Sequence, residues 1–411
     1  LNILIVNFND LKGGAAIASY RLHRTFIKLG HNSKMLVYRK FSKDEEVIGP
    51  KNVLIKFYRI IRQHLGKTPN FFFIRNAEVL NSGSFFPSSF AEYINKSDCE
   101  IVHLNWINFD FLSIKDISEI TKPIVWTLHD MWAFCGAEHL SYNCQYITGY
   151  KKKHLINGFL NIDLNSFVFE KKMRFWKKPI NVVTPSNWLA DCAKRSILMK
   201  DWPISVIPNP IDISDWKHYS KPKVRELYGL SQEKKIVLFS TSEYLYNYNK
   251  GFDLLLSSLD LIEDKNFLLV IVGVQENQNF NNFPFEVKFL GIVKSQNILN
   301  QLYCCADLVV IPSRQESLSY VAIESISSSV PVVAFDNSGI KDVIKHMFNG
   351  YLAKPFDIKD FACGISLILN DNKLVKELSS NARKFAKNTF DELIIAKQYL
   401  NIYQSSINSK I

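Results

Sequence analysis

Leu308-Val309-Val310-Ile311-Pro312-Ser313-Arg314-Gln315-Glu316-Ser317-Leu318-Ser319-Tyr320-Val321-Ala322-Ile323-Glu324 places two carboxylates eight positions apart directly behind a short apolar run. Leu308 to Ile311 reads as a strand, and Pro312 ends it. In an open parallel sheet that end is the carboxyl edge, where ligands sit. Glu316 then falls in the ligand-facing loop and Glu324 one to two turns into the following helix. Backbone N–H groups near Ser317, Leu318 and Ser319 would open that helix and suit a phosphate, while a carboxylate accepts hydrogen bonds from sugar hydroxyls. The plain alternative is that Glu316 caps the helix and Glu324 is solvated.

The same strand-then-helix alternation runs in both directions from this segment, the signature of parallel sheets covered by helices and hence of the α/β class. Strands are expected at 3–7, 33–37, 101–104, 124–128 and 181–184, and again at 236–240, 267–272, 287–290, 308–311 and 331–335. Val206-Ile207-Pro208-Asn209-Pro210-Ile211-Asp212 lies between the two series, and its two prolines disfavour helix. The predicted domains are therefore 1–207 and 208–388, with a C-terminal helix at about 389–411 packing back on the first. Two such units would face each other across a cleft.

A chain of 411 residues exceeds the size at which one core stops growing, and 47% hydrophobic with 22% charged residues is ordinary globular usage. No run approaches the length of a membrane span, and Leu1 to Val6 reads as a buried first strand and not as a signal peptide. Seven cysteines, including the adjacent Cys304 and Cys305, fit a reducing cytosol. Cys135, Cys144, His139 and His154 are residue types that bind zinc, but no C-x-x-C or paired-histidine spacing supports a metal site. A net charge of +11 implies an anionic partner. Nucleic acid is disfavoured, because no recognised motif accompanies the basic runs.

One of those runs is distinctive. Lys51 to Arg75 holds six Lys or Arg (Lys51, Lys56, Arg59, Arg62, Lys67, Arg75) and no acid, interleaved with Phe57, Tyr58, Phe71, Phe72 and Phe73. On a helical wheel Val53, Leu54, Phe57, Ile60, Ile61 and Leu65 share one face, and Lys51, Lys56, Arg59 and Arg62 take the other. This predicts either a surface helix packed on its own domain or an interfacial helix on anionic lipid. A second patch, Lys151-Lys152-Lys153 with Lys171, Lys172, Arg174, Lys177 and Lys178, adds to the lipid reading.

The Glu316 to Glu324 segment resembles the E-x7-E motif of retaining family 4 glycosyltransferases with the GT-B fold. Gly13-Gly14, Thr127-Leu128-His129-Asp130-Met131-Trp132, Asn249-Lys250-Gly251-Phe252-Asp253-Leu254-Leu255, Phe289-Leu290-Gly291 and Pro331-Val332-Val333-Ala334 with Gly339 agree with it in order and spacing. The resemblance spans nearly the whole chain, is more specific in its C-terminal half, and leans towards enzymes of bacterial surface polysaccharides such as O-antigen and capsule. It implies two Rossmann-like domains and transfer of a sugar from a nucleotide diphosphate donor, without a metal or other cofactor, to a glycan or lipid-linked acceptor.

The resemblance also implies roles. Gly13 and Gly14 let the backbone approach the donor diphosphate, and Lys250 stabilises it as it leaves. Gly291 and Ile292 hold the base, Glu324 the ribose, and Glu316 the transferred sugar, with Ser317, Leu318 and Ser319 beside it. His129 contacts the donor sugar and the reaction centre. Asn105, Trp106, Asp130 and His139 fall on the acceptor side, with Asp130 orienting its loop. Two features depart from the family pattern: Ser240-Thr241-Ser242-Glu243-Tyr244 lacks an arginine, and E-G-F-G is replaced by Glu316-Ser317-Leu318-Ser319. The rival readings are a nucleotide-sugar epimerase and a non-catalytic nucleotide-sugar binding protein. The expected setting is the cytoplasm or the inner face of the plasma membrane, with an anionic membrane surface and a nucleotide sugar as partners.

Overall fold

The structure, a computed structural model, describes residues 1–67, 73, 79–150, 163–241, 244–275 and 283–409. These form two compact units, Leu1–Pro210 with Ile395–Ile411, and Ile211–Ile394.

The first unit is built on a parallel sheet of strands β1 (Asn2–Asn9), β2 (Asn32–Arg39), β3 (Val47–Ile48), β4 (Ile101–Leu104), β5 (Ile124–Thr127), β6 (Asn181–Thr184) and β7 (Ile204–Val206), in the order 3-2-1-4-5-6-7. The order reverses between β1 and β4, which pair in parallel from Ile3 with Ile101 to Val6 with Leu104. Each central strand is buried along its length, so helices must cover both faces. The helix Glu392–Asn408 contributes Ile395, Ala396, Tyr399 and Tyr403 to the core under one face, against Ile3, Ile5, Leu22 and Phe26.

The second unit repeats the plan with β8 (Lys235–Ser240), β9 (Phe267–Val272), β10 (Glu286–Phe289), β11 (Leu308–Ile311), β12 (Val332–Phe335) and β13 (Gly350–Ala353), in the order 10-9-8-11-12-13 and again all parallel. Here the order reverses between β8 and β11. In such sheets the loops leaving the two strands at the reversal diverge and open a crevice at the carboxyl edge.

The basic helix forms, as Val53–Lys67, and packs on its own unit, but with its polar side inward. Arg59 donates to the carbonyls of Val37 and Tyr38, Arg62 to those of Asp110, Pro87 and Phe86, and Gln63 is bonded by Arg39. The helix thus docks through its polar side, while Val53, Leu54, Phe57, Ile61 and Leu65 are exposed. The reason lies outside the helix: five backbone carbonyls of β2 and of the loops at Phe86, Pro87 and Asp110 accept from the two guanidinium groups. The second basic patch is also reduced. Lys172 is fully buried, its ammonium on the carbonyls of Trp132, Cys135 and Gly136, so it contributes nothing to surface charge. Phe71, Phe72, Arg75, Lys151, Lys152, Lys153 and His154 lie outside the described residues, as do Ser242 and Glu243.

Candidate functional site

In the second unit, Lys250 follows β8 and Glu316 follows β11, the two strands at the reversal. Their side chains meet, Lys250 Nζ lying 2.9 Å from Glu316 Oε1, with both partly shielded from solvent. The loops that carry them are stitched together. Asn247 accepts from the Asn249 N–H through its side chain and from the Lys250 N–H through its carbonyl, which shapes the single turn Tyr248–Lys250. From the opposite loop, Arg314 N–H donates to Asn249 O at 2.8 Å, and Asn249 Nδ2 donates to Gln315 O at 2.8 Å. The Arg314 guanidinium binds both oxygens of Asp253 and lies 4.0 Å over the Tyr248 ring. Gly251 is required here: its φ of +68° is left-handed, and a Cβ would overlap the Pro312 carbonyl.

Glu316 is fixed through its backbone as well, its N–H donating to Ser338 Oγ and its carbonyl accepting from Gly339 N–H. Ser319 caps the helix Tyr320–Ser327, accepting from Ala322 N–H. Leu318 is 7% exposed and packs in the core, so it can offer a ligand only its backbone. The Glu324 side chain, on the first turns of that helix, is buried and accepts from Tyr303 O–H at 3.4 Å. Burial, reinforced by the Glu324 carboxylate, holds the Tyr303 phenol well above its ordinary range, so it stays a donor. Gly291 and Ile292 follow β10 at the same sheet edge, Gly291 with φ of +69° and Ile292 exposed.

The first unit gathers a second cluster at the corresponding edge. Gly13, φ +90°, ends the loop after β1 and Gly14 starts the helix Gly14–Lys28; the Asn9 side chain closes that loop on Leu11 and Lys12. After β4 and β5 come Asn105, Trp106, His129 and Asp130. Asn105 Nδ2 donates to His103 O, which turns Oδ1 to accept from His129 Nε2–H at 3.0 Å. Burial lowers the His129 pKa to about 4, with Asp130 opposing, so the ring is neutral over the ordinary pH range. Asp130 Oδ2 accepts from both His139 Nδ1–H and Trp106 Nε1–H at 2.6 Å, and Oδ1 from Trp132 N–H. Burial alone would raise the Asp130 carboxyl, but the His139 charge and these donors hold it below the usual range. Asp130 is therefore an anchor for its loop. His139, 3% exposed and bonded also to Ser82, stands behind Asp130 and not on a surface that an acceptor could touch.

Gly13, Gly14, Asn105, Trp106, His129 and Asp130 follow strands of the first sheet and Lys250, Gly291, Ile292 and Glu316 follow strands of the second, while His139 lies behind Asp130, and Glu324 is on the helix after β11. The structure joins Lys250 with Glu316, His129 with Asn105, and Asp130 with Trp106 and His139. Sequence reasoning missed Arg314, Asp253 and Ser338, which hold the Lys250 and Glu316 loops, and Tyr303, the partner of Glu324. It also missed Lys172, which clamps the loop behind Asp130 and was counted as surface charge. Arg314 carried a signal, since it stands two positions before Glu316; the others carried none that spacing could reveal. Among the described residues no group of three His, Cys, Asp or Glu side chains is arranged to hold a metal ion.

Comparison with known proteins agrees with this geometry. Residues 12–215 match the profile of Glycosyltransferase Family 4 and residues 220–385 that of Glycosyl transferases group 1. An uncharacterized glycosyltransferase of Methanocaldococcus jannaschii is 30% identical over 194 residues, 45% of this chain and 48% of that protein. The N,N'-diacetylbacillosaminyl-diphospho-undecaprenol alpha-1,3-N-acetylgalactosaminyltransferase of Campylobacter jejuni is 29% identical over 197 residues, 46% and 51% of the two chains. The chain thus spans about half the length of these curated relatives. Sucrose-phosphate synthase from Thermosynechococcus elongatus shares the fold over 99% of both chains, with a TM-score of 0.71 at 17% identity. Anabaena HepE, solved in complex with UDP, covers 98% of this chain and 100% of its own with a TM-score of 0.65 at 16% identity. The two profiles, the two parallel sheets and these structural neighbours together establish that the chain belongs to glycosyltransferase family 4 and has the GT-B fold.

Proposed function

We propose that the protein transfers a sugar, with retention of anomeric configuration, from a nucleoside diphosphate donor to a glycan acceptor carried on a lipid, in the building of a bacterial surface polysaccharide. The observation that carries the reading is the Lys250 and Glu316 pair at the reversal of the second sheet, with Glu324 on the helix that follows. A relative named for a diphospho-undecaprenol acceptor and another named for capsular polysaccharide biosynthesis in Staphylococcus aureus support the acceptor class and the pathway.

In this reading the donor diphosphate lies against Lys250 and the backbone at Ser317 to Ser319, the ribose against Glu324, and the base near Gly291 and Ile292. The acceptor hydroxyl attacks the anomeric carbon as the bond to the diphosphate oxygen breaks on the same face. The hydroxyl proton passes to that departing oxygen, so no enzymic base or nucleophile is needed. The protein orients the reactants and stabilises the leaving charge. Neutral His129 donates through Nε2 to Asn105 and serves as a hydrogen-bonding wall for the sugar. Incubation with a panel of UDP-, GDP- and ADP-sugars, with and without acceptor, tests the reading: nucleoside diphosphate should be released fastest with acceptor present. Conversion of donor to a new nucleotide sugar without acceptor would instead identify an epimerase.

Two further outcomes are expected. Because Lys250 supplies the positive charge at the leaving group, transfer should persist in EDTA; activity abolished by chelation and restored by manganese would overturn that assignment. Glu324→Ala should weaken donor binding by about 1–3 kcal/mol, the usual worth of a charged hydrogen bond, with a smaller change in turnover. Titration calorimetry with the nucleoside diphosphate reads this directly, and unchanged affinity would remove Glu324 from the site.

A further inference from the structure

The loop between β8 and the helix Phe252–Asp260 carries three tyrosine rings beside the donor site. In Tyr244-Leu245-Tyr246-Asn247-Tyr248-Asn249-Lys250 the phenols stand at every second position and lead to the cation of that site. Tyr244, Tyr246 and Tyr248 are 68%, 55% and 57% exposed, whereas Leu245 is buried in one core with Phe252 and Leu255. Leu245 anchors the loop and leaves its aromatic neighbours outside.

The rings are held in place. Asn247 N–H donates to Tyr244 O at 3.1 Å directly ahead of the turn Tyr248–Lys250, so two turns follow one another. The Tyr246 ring meets the wholly buried Phe252 ring edge-on at 5.5 Å. Tyr248 accepts from the Arg314 guanidinium through its carbonyl at 2.6 Å, and the same guanidinium lies over its ring. Side chains fixed in this way lose little freedom when a ligand arrives, and tyrosine offers a large amphipathic surface with few torsions to freeze.

The chemistry of this surface selects the ligand. From Tyr244 to Lys250 it presents phenols, amides and one ammonium, with no acid and no exposed aliphatic side chain. A bilayer or an apolar protein patch would call for the aliphatic surface that Leu245 withdraws. A pyranose fits: its C–H groups form an apolar face that an aromatic ring covers, and its hydroxyls form a polar edge that phenols and amides bond. Position separates such a sugar from the donor base. The base is assigned to Gly291 and Ile292 after β10, two strands from β8, while Tyr248 is tied to Arg314 on the loop after β11, two positions before Glu316. Six residues of chain span at most about 20 Å, so Tyr244 stays within the reach of a short oligosaccharide from Lys250.

We propose that Tyr244, Tyr246 and Tyr248 form an aromatic rail for the glycan of the acceptor, stacking on pyranose units next to the one that receives the sugar. The proposal deepens the transfer reading and rests on it for the bound glycan's being the acceptor. Binding of a glycan to the rail does not depend on transfer.

The test uses the full chain, with UDP, GDP or ADP present, and methyl glycosides of di- and trisaccharides of glucose, galactose, mannose and N-acetylglucosamine as probes. Saturation-transfer NMR with irradiation of the aromatic protons should pass magnetisation to the C–H protons of one pyranose face in at least one probe. Tyr244→Ala/Tyr246→Ala should cut that transfer by about tenfold, the loss expected for truncated aromatic contacts. Tyr244→Trp/Tyr246→Trp should restore it, which a merely structural role for the tyrosines would not allow. A probe that also serves as acceptor should show the loss in KM and not in kcat. Nucleoside diphosphate affinity, read by calorimetry, should be the same in the native protein and both variants. No transfer from the native protein to any probe, or equal transfer from the native and alanine proteins, would overturn the rail. So would a loss confined to kcat, or a fall in nucleoside diphosphate affinity with glycoside binding retained, since the rings would then serve the donor. The transfer reading fails on separate evidence, namely that no nucleotide sugar releases nucleoside diphosphate in the native protein, whatever the glycosides show.

Discussion

Replacing Lys250 by alanine should lower kcat by about 10²- to 10³-fold, the loss seen when a preorganised electrostatic donor is removed from a transition state. The size follows from placement. The ammonium is carried by the turn Tyr248–Lys250, whose geometry is set by Asn247 and whose Tyr248 and Asn249 are bonded to Arg314 and Gln315, with Arg314 held in turn by Asp253. A lysine on a loop so constrained loses little freedom when the diphosphate arrives. In the free protein its charge rests on Glu316, so under the proposed reading an arriving diphosphate would take the place of that carboxylate on the ammonium.

The variant also leaves Glu316 without its cation, so stability must be followed alongside rate. The pair is partly exposed, and pairs of that kind stabilise little, so the melting temperature should barely move. Lys250→Arg should recover part of the rate, because a guanidinium restores charge but not the compact ammonium geometry. A kcat within about threefold of the native value, with the protein folded, would show that the leaving diphosphate is stabilised elsewhere.

Much of the architecture was legible because strands buried on both faces read as unbroken apolar runs. Phe267 to Val272 and Leu308 to Ile311 are such runs and are strands within those bounds. Val47–Ile48, Ile204–Val206 and Gly350–Ala353 escaped, being short, partly exposed or begun by glycine. Candidate site residues are legible where they stand at a short spacing from a strand end. What holds them was not, because those partners are remote: Arg314 reaches Asp253 across 61 positions and Lys172 reaches Trp132 across 40. The inverted helix is the clearest case. Periodicity shows that a helix has two faces, but which one turns inward was decided by carbonyls at Val37, Phe86 and Asp110, which no local pattern records.

Acid should destabilise the first unit well before carboxylates titrate. His23, His103 and His129 are enclosed in it, and burial lowers them from 6.5 to about 4, about 3 and about 4. His103 is held between Thr127 and Tyr403, and His23 beside Ser33, in surroundings that suit only the neutral ring. A folded-state pKa below the unfolded one means that the unfolded chain takes up protons first. The contribution is therefore complete above pH 6.5 and is lost as pH falls towards 4. Each histidine gives a slope of about 1.4 kcal/mol per pH unit, so the three together approach about 4 kcal/mol per unit near pH 5, a large share of a typical domain's stability. Asp110 and Glu138, whose carboxyls burial raises, act in the opposite sense, adding stability as pH falls through their raised folded values towards the ordinary carboxylate range, and so offset part of this slope. Denaturant melts at intervals from about pH 7.5 to 5 should show the first unit's transition falling steeply, and His103→Gln should reduce the slope by about one third. A transition independent of pH over that window would mean that these rings are protonated in place. Since His129 itself stays neutral down to about 4, any loss of transfer between pH 6 and 5 should coincide with this unfolding and not with titration of a catalytic imidazole.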